Sequence, residues 1–137
     1  MNQEAILQPL GALAGLTFLV LMQIPIRRFR AAFAGRVKPD DFKFGEAPEV
    51  PKDVGIPNRN LMNLLEMPIL FYVFTLLVYV TKTIDPTSLA LAWTYVALRV
   101  IHSLVHLTYN RVVHRLTLFA MSNMILGLMW VRWFFVR

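Results

Sequence analysis

The sequence predicts an all-α fold, namely an integral membrane bundle of four helices. Of the 137 residues, 57% are hydrophobic and only 16% are charged, whereas a soluble domain carries about 25% charged residues. The apolar residues also form four separate runs of about 20 residues, the length at which a helix crosses a bilayer. A chain this short has room for one domain, and we assign residues 1–137 to it.

The four predicted helices are separated by polar segments. They cover residues 5–26, 61–80, 89–108 and 116–136. The first is preceded by Glu4 instead of a basic segment and is followed at once by arginines, which favours a retained helix over a signal peptide. The segment 27–60 is the one long loop, because several prolines discourage a continuous helix there. These are Pro39, Pro48, Pro51 and Pro57.

Basic residues concentrate on one side of the predicted spans. The 27–60 loop holds Arg27, Arg28, Arg30, Arg36, Lys38, Lys43, Lys52 and Arg59. The 109–115 link on the same side adds Arg111 and Arg115. The basic residues on the other side are Lys82, Arg132 and Arg137. The positive-inside rule therefore predicts a cytoplasmic loop 27–60 and link 109–115, with both termini and the 81–88 turn opposite. The net charge of +6 is clustered around apolar runs, which indicates contact with membrane lipids and no nucleic-acid partner.

Several chemistries are missing from the sequence. The chain has no cysteine, so any thiol chemistry must use the thiol of a substrate. There is no phosphate-binding or dinucleotide-binding glycine loop and no serine nucleophile elbow. His102 and His106 have the spacing of a helical metal pair, but no second carboxylate accompanies them, and we predict no metal site.

A small set of polar residues lies at the loop-side ends of the predicted spans. They are Arg59, Asn63 and Glu66 at span two, Arg99, His102 and His106 in span three, Tyr109 just after it, and Arg115 beside span four. Helical spacing and rise place most of them on shared faces and at similar depths, which predicts one polar pocket. Its excess of arginine indicates an anionic small ligand. The alternative is that Glu66 and Arg99 form a buried ion pair that only fixes helix packing.

Three features of this set match a known family. They are the pattern Arg59-x-x-x-Asn63-x-x-Glu66-x-Pro68, the pattern Arg99-x-x-His102, and Arg115 sixteen residues after Arg99. With these motifs in order on a four-span chain, the sequence resembles the membrane-associated proteins in eicosanoid and glutathione metabolism (MAPEG), especially bacterial members. The resemblance covers nearly the whole chain.

The resemblance implies a homotrimer in the bacterial inner membrane, with glutathione as co-substrate between neighbouring protomers at the cytoplasmic end. Arg59 and Arg99 would hold glutathione carboxylates, Glu66 the glutamyl amine, and Arg115 would stabilise the thiolate. The remaining predicted binding residues are Arg27, Asn63, His102, His106 and Tyr109. The chain has His106 where eukaryotic members of the family carry a tyrosine, and Leu116 and Phe119 where a prostaglandin-synthase relative carries a serine and a tyrosine. The loss of these hydroxyl groups argues against eicosanoid synthase activity.

The predicted function is therefore a glutathione-dependent transferase or peroxidase that acts on lipophilic electrophiles from the membrane. One alternative is a non-catalytic binding or scaffold protein of the same fold. A second is a small multidrug transporter, suggested by the length of the chain, its four spans and one membrane carboxylate. Such a transporter is expected to keep its carboxylate near the middle of the bilayer, whereas Glu66 lies near one end among arginines.

Overall fold

The computed structural model describes residues 2–136, and within them the chain is helical with no β-strand. Its helices are α1 (Leu7–Phe33), α2 (Lys52–Leu65), α3 (Pro68–Val80), α4 (Pro86–Leu107) and α5 (Val112–Phe135), with 3-10 turns at Gln3–Ile6 and Pro39–Phe42. Four helical segments are long and apolar enough to cross a membrane, because α2 and α3 together form one of them. The predicted all-α membrane bundle is confirmed. Arg137, which entered the charge count above, lies outside the described residues.

Helix α1 continues to Phe33, well past the predicted end at residue 26. Arginine is a good helix former, and Arg30 in the last turn complements the negative end of the helix dipole. The helix stops where Gly35 takes a positive φ of 69°. The N–H groups of Gly35 and Arg36 then donate to the carbonyls of Ala32 and Ala31 at 2.9 and 2.8 Å, which is the hydrogen-bond pattern of a glycine C-cap.

The predicted loop 27–60 is consequently shorter in the structure, since its irregular part is residues 34–51 and α2 already begins at Lys52. This segment folds back on the helices, and Val37 is buried with Ala31 and Val54. Two ion pairs hold the segment, one between Arg28 and Glu46 at 3.4 Å and one between Arg36 and Asp53 at 2.7 Å. The hydrogen bond from Arg36 to Asp53 raises the pKa of Arg36 above its usual value.

The second predicted span, residues 61–80, is broken in the structure. Helix α2 ends at Leu65, Glu66 has the non-helical angles φ −87° and ψ −98°, and α3 begins at Pro68. Proline has no N–H to donate to the preceding turn, and its ring clashes with the carbonyl four residues earlier. The carbonyls at the end of α2 are therefore left to find partners outside the helix.

The helices alternate in direction, and contacts at each end fix the bundle. At one end Arg27, in α1, donates to the carbonyl of Leu107 at the end of α4. At the other end Arg132 pairs with Asp85 at 3.0 Å. Between the two ends the core is apolar, and the rings of Phe71 and Tyr95 stack at 4.7 Å. The predicted polar residues all belong to the end at which the 34–51 segment lies.

Candidate functional site

Two adjoining clefts at this end bring together residues from α2, α4 and α5. The first, of about 240 Å³, is lined by Ile56, Arg59, Met62, Asn63, Glu66, His106, Asn110 and Arg115. The second, of about 230 Å³, is lined by Asn63, His102, Val112, Arg115, Leu116 and Phe119. Because Asn63 and Arg115 line both, we treat the two as one site, the loop-side cleft. Six of the nine predicted site residues line it.

Arg99 lies behind the cleft instead of in its lining. Its side chain is fully buried, Nη2 donates to the carbonyl of Asn63 at 2.8 Å, and its guanidinium lies 5.7 Å from the ring centre of Phe119. The Asn63 carbonyl belongs to the last turn of α2, where a cation is favoured by the helix dipole. The break before Pro68 thus creates the acceptor that holds Arg99.

The surroundings of Arg99 argue against the alternative that it forms a buried ion pair with Glu66. No salt bridge joins it to Glu66 in the described part of the chain, and Glu66 is exposed in the cleft. Nε and Nη1 of Arg99 are buried and find no hydrogen-bond partner within residues 2–136. A buried cation without a salt-bridge partner acts strongly on its surroundings, because the low dielectric of the interior screens its charge little. It therefore favours an anion in the adjoining cleft.

His102 and His106 are both buried on α4 beside the cleft. Their rings lie 5.9 Å apart, and neither Nδ1 has a hydrogen-bond partner in residues 2–136. His102 lies 6.1 Å from Phe119, so His102 and Arg99 lie beside the same ring of the cleft wall. Over the same residues, no group of three or more His, Cys, Asp or Glu side chains could hold a metal ion.

Asn110 fixes the position of Arg115, although it was not among the predicted site residues. Its Oδ1 accepts from Nη1 of Arg115 at 2.6 Å. The backbone of Asn110 has a positive φ of 52°, and its N–H donates to the carbonyl of Val105 at 2.8 Å. Asparagine is one of the few residues that take this conformation readily. An asparagine just after a helical pattern is a recognisable C-terminal signal, but its bond to Arg115 is visible only in the structure.

Arg27 and Tyr109 lie outside the loop-side cleft. Arg27 donates from Nη1 to the carbonyl of Asp53 and from Nη2 to that of Leu107, both at 2.9 Å. The Asp53 carbonyl is free because Pro57, four residues later, has no N–H. The hydroxyl of Tyr109 lies 2.9 Å from Nδ1 of His114 on the exposed link. Within one chain, Arg27 therefore ties α1 to α2 and α4.

The chemistry of the cleft follows from its charges. Arg59 and Arg115 are cations, Glu66 is the carboxylate in the lining, and Arg99 adds positive charge from behind. On the α5 side the wall becomes apolar at Val112 and Leu116, which are exposed. The arrangement suits a small anion that also carries an ammonium group, next to a surface on which a lipophilic molecule can lie.

The fold and the cleft together define an integral membrane protein with an arginine-lined cleft at one end of a helical bundle. The model of the MAPEG family matches residues 6–135, and the chain belongs to this family. Membership supports a membrane function of the glutathione-related transferase or peroxidase type in general. Comparison with curated proteins and with solved structures gives no match.

Proposed function

We propose that this protein is a glutathione-dependent transferase or peroxidase that acts on lipophilic electrophiles. The observation that carries the proposal is the convergence of Arg59, Glu66 and Arg115 in one cleft. Glutathione has two carboxylates, one ammonium group and one thiol. Two arginines and one carboxylate complement these charges, and the buried cation of Arg99 favours the net negative charge of the ligand.

In this proposal Arg59 holds a glutathione carboxylate, Glu66 accepts hydrogen bonds from the glutamyl ammonium group, and Asn63 bonds to a peptide group. Arg99 attracts the negative charge of the ligand from behind the cleft lining. His102 and His106 form one side of the cleft. The homotrimer implied by the family resemblance would place a neighbouring protomer against the cleft. Arg27 and Tyr109 would join the site only through that neighbour.

Arg115 is the catalytic residue of the proposal. Its guanidinium, held by Asn110 at 2.6 Å, would lie beside the thiol and favour the thiolate, because a nearby cation lowers a thiol pKa. In a transferase the thiolate sulfur bonds to an electrophilic carbon. The electron pair of the bond that breaks leaves with a displaced anion such as a halide, or stays on the neighbouring atom of an alkene or epoxide, which then takes up a proton. In a peroxidase two glutathiones reduce a hydroperoxide to an alcohol and water and leave as the disulfide. The electrophile would approach from the lipid along Val112 and Leu116.

The test compares Arg115→Ala with Arg111→Ala by calorimetry and turnover. Arg111 is an exposed arginine on the same link and does not line the cleft, so its variant is the matched control. We expect Arg115→Ala to reduce turnover about 100-fold, the effect of losing one charge-stabilising donor. It should weaken glutathione binding more than S-methylglutathione binding, since the methylated ligand forms no thiolate.

Two outcomes would contradict parts of the proposal. Normal turnover in Arg115→Ala would remove the catalytic role of that residue. Absence of binding at millimolar glutathione by a correctly assembled protein would remove glutathione altogether. The alternative of a binding or scaffold protein with the same fold would then be favoured.

A further inference from the structure

A second cavity lies away from the loop-side cleft, between the last turns of α1 and the 34–51 segment. Its volume is about 310 Å³, and we call it the loop groove. Its floor is apolar and consists of Ile24, Pro25, Phe29, Val37, Pro39 and Phe42. Ala32 stands on the same face of α1 and is exposed, so the groove is open along the helix.

Two cations form the rim of the groove, Arg28 and Lys38. The Arg28 guanidinium lies 4.3 Å from the ring centre of Phe42 and reaches Glu46 only at 3.4 Å. Its Nη1 forms no hydrogen bond within residues 2–136, whereas its Nε is buried. Lys38 is exposed, and its side chain forms no salt bridge within the same residues. Both side chains therefore have donors left for an anionic ligand.

The position of the groove relates it to the bilayer. Helix α1 is one of the four segments long and apolar enough to cross a membrane, and the groove lies where its apolar run gives way to arginines. Phe29 and Phe33 are 63% and 88% exposed there, with ring centres 6.5 Å apart. Exposed aromatic rings beside arginines are typical of the depth at which hydrocarbon meets headgroups.

We propose that the loop groove binds one anionic phospholipid. An acyl chain lies on the apolar floor, and the phosphate contacts Arg28 and Lys38. A soluble anion would leave the floor unused, and a zwitterionic lipid would gain less from the two cations, so a net negative lipid fits best. The lipid would hold the 34–51 segment against α1. The other side of that segment already packs on α2, where the Glu46 side chain lies against Gly55. A Cβ added to Gly55 would be only 2.6 Å from Oε2 of Glu46.

The experiment is native mass spectrometry of the detergent-purified protein with phosphatidylglycerol or phosphatidylcholine. Two variants change the groove: Lys38→Gln removes a rim charge, and Ala32→Trp fills the floor. Lys43 is also exposed and belongs to the same segment but does not line the groove, so Lys43→Gln is the matched control. We expect Lys38→Gln to lower phosphatidylglycerol retention about fivefold, the effect of one cation near an anionic headgroup. Ala32→Trp should abolish retention, and Lys43→Gln should leave it unchanged.

Other results would overturn the proposal. Equal retention of phosphatidylcholine would show that the headgroup charge is not recognised. Equal losses in Lys38→Gln and Lys43→Gln would indicate diffuse attraction without a site. If Ala32→Trp changed the number of protomers in the particle and not its bound lipid, the groove would be an interface between copies. Arg115→Ala should retain as much lipid as the unchanged protein does. The lipid proposal can therefore fail or succeed independently of the glutathione proposal.

Discussion

Asn110 shows how one residue can serve both the fold and the site. Its left-handed backbone follows the end of α4, where its N–H donates to the carbonyl of Val105, and its side chain holds the guanidinium of Arg115. The two roles belong to different atoms, so substitutions can separate them. Glycine keeps the left-handed conformation and lacks the acceptor, whereas aspartate keeps an acceptor oxygen and tolerates the conformation.

We predict that Asn110→Gly lowers turnover about tenfold with little loss of stability, and that Asn110→Asp retains most of the activity. A hydrogen bond to a charged group contributes about 1.5–3 kcal/mol, and a mobile Arg115 would stabilise the thiolate less well. The measurement is the pH dependence of the ultraviolet thiolate absorbance of bound glutathione, together with kcat. Asn110→Gly should shift the thiolate titration upward. The same titration in both variants and the unchanged protein would limit Asn110 to ending the helix.

The grouping of Arg59, Asn63, Glu66 and Arg115 was predictable from sequence, because helical spacing and span orientation fix face and depth. The role of Arg27 within the single chain was not predictable. One of its acceptors is the Asp53 carbonyl, which has no partner within the helix because Pro57 lies inside α2, and the prolines of this segment predicted a loop there. From sequence alone, a proline is expected to end a helix, because it leaves a backbone carbonyl without its N–H partner. Here the Arg27 side chain of α1 donates to that carbonyl, and α2 continues past Pro57.

At the scale of the elements, the junction of α2 and α3 contributes most to the site. The sequence predicted one continuous helix over 61–80 with no more than a kink at Pro68. The full break exposes the carbonyl of Asn63 and lets Arg99 lie against it at 2.8 Å. A hydropathy pattern cannot distinguish a kink from a break, since both leave the apolar run intact. The number and type of the spans were therefore predictable, and this junction was not.

The end of α1 provides a prediction about stability. An added Cβ meets nothing within 4 Å at Gly35 or at Gly15, so alanine at either position tests the backbone alone. Gly35 has a φ of 69°, and Gly35→Ala should lower the free energy of unfolding by about 1–2 kcal/mol. Gly15 is inside the helix, and Gly15→Ala should raise it by about 0.5–1 kcal/mol. Chemical unfolding in detergent measures both, and equal effects would contradict the glycine cap at Gly35.

At the scale of the whole molecule, the outer surface of the bundle is apolar along its length, and most of its basic residues lie at one end. Leu19, Val80 and Met124 are 68%, 72% and 73% exposed, which is compatible with lipid or a neighbouring protomer and not with water. The basic residues of the 27–60 segment and of the 109–115 link lie at the same end as the loop-side cleft. The orientation of the protein in the membrane therefore decides which compartment supplies the ligand.

We predict that the cleft end faces the cytoplasm of a bacterial inner membrane, because positively charged loops are retained there. The chain has no cysteine, so single substitutions give unique labels. Lys43 in the 34–51 segment and Thr87 at the opposite turn are both exposed. With a membrane-impermeant maleimide, Thr87→Cys should react in spheroplasts, whereas Lys43→Cys should react only after lysis. The reverse labelling would place the cleft away from cytoplasmic glutathione, and would contradict the orientation and the proposed co-substrate together, even if Arg115→Ala were inactive in detergent.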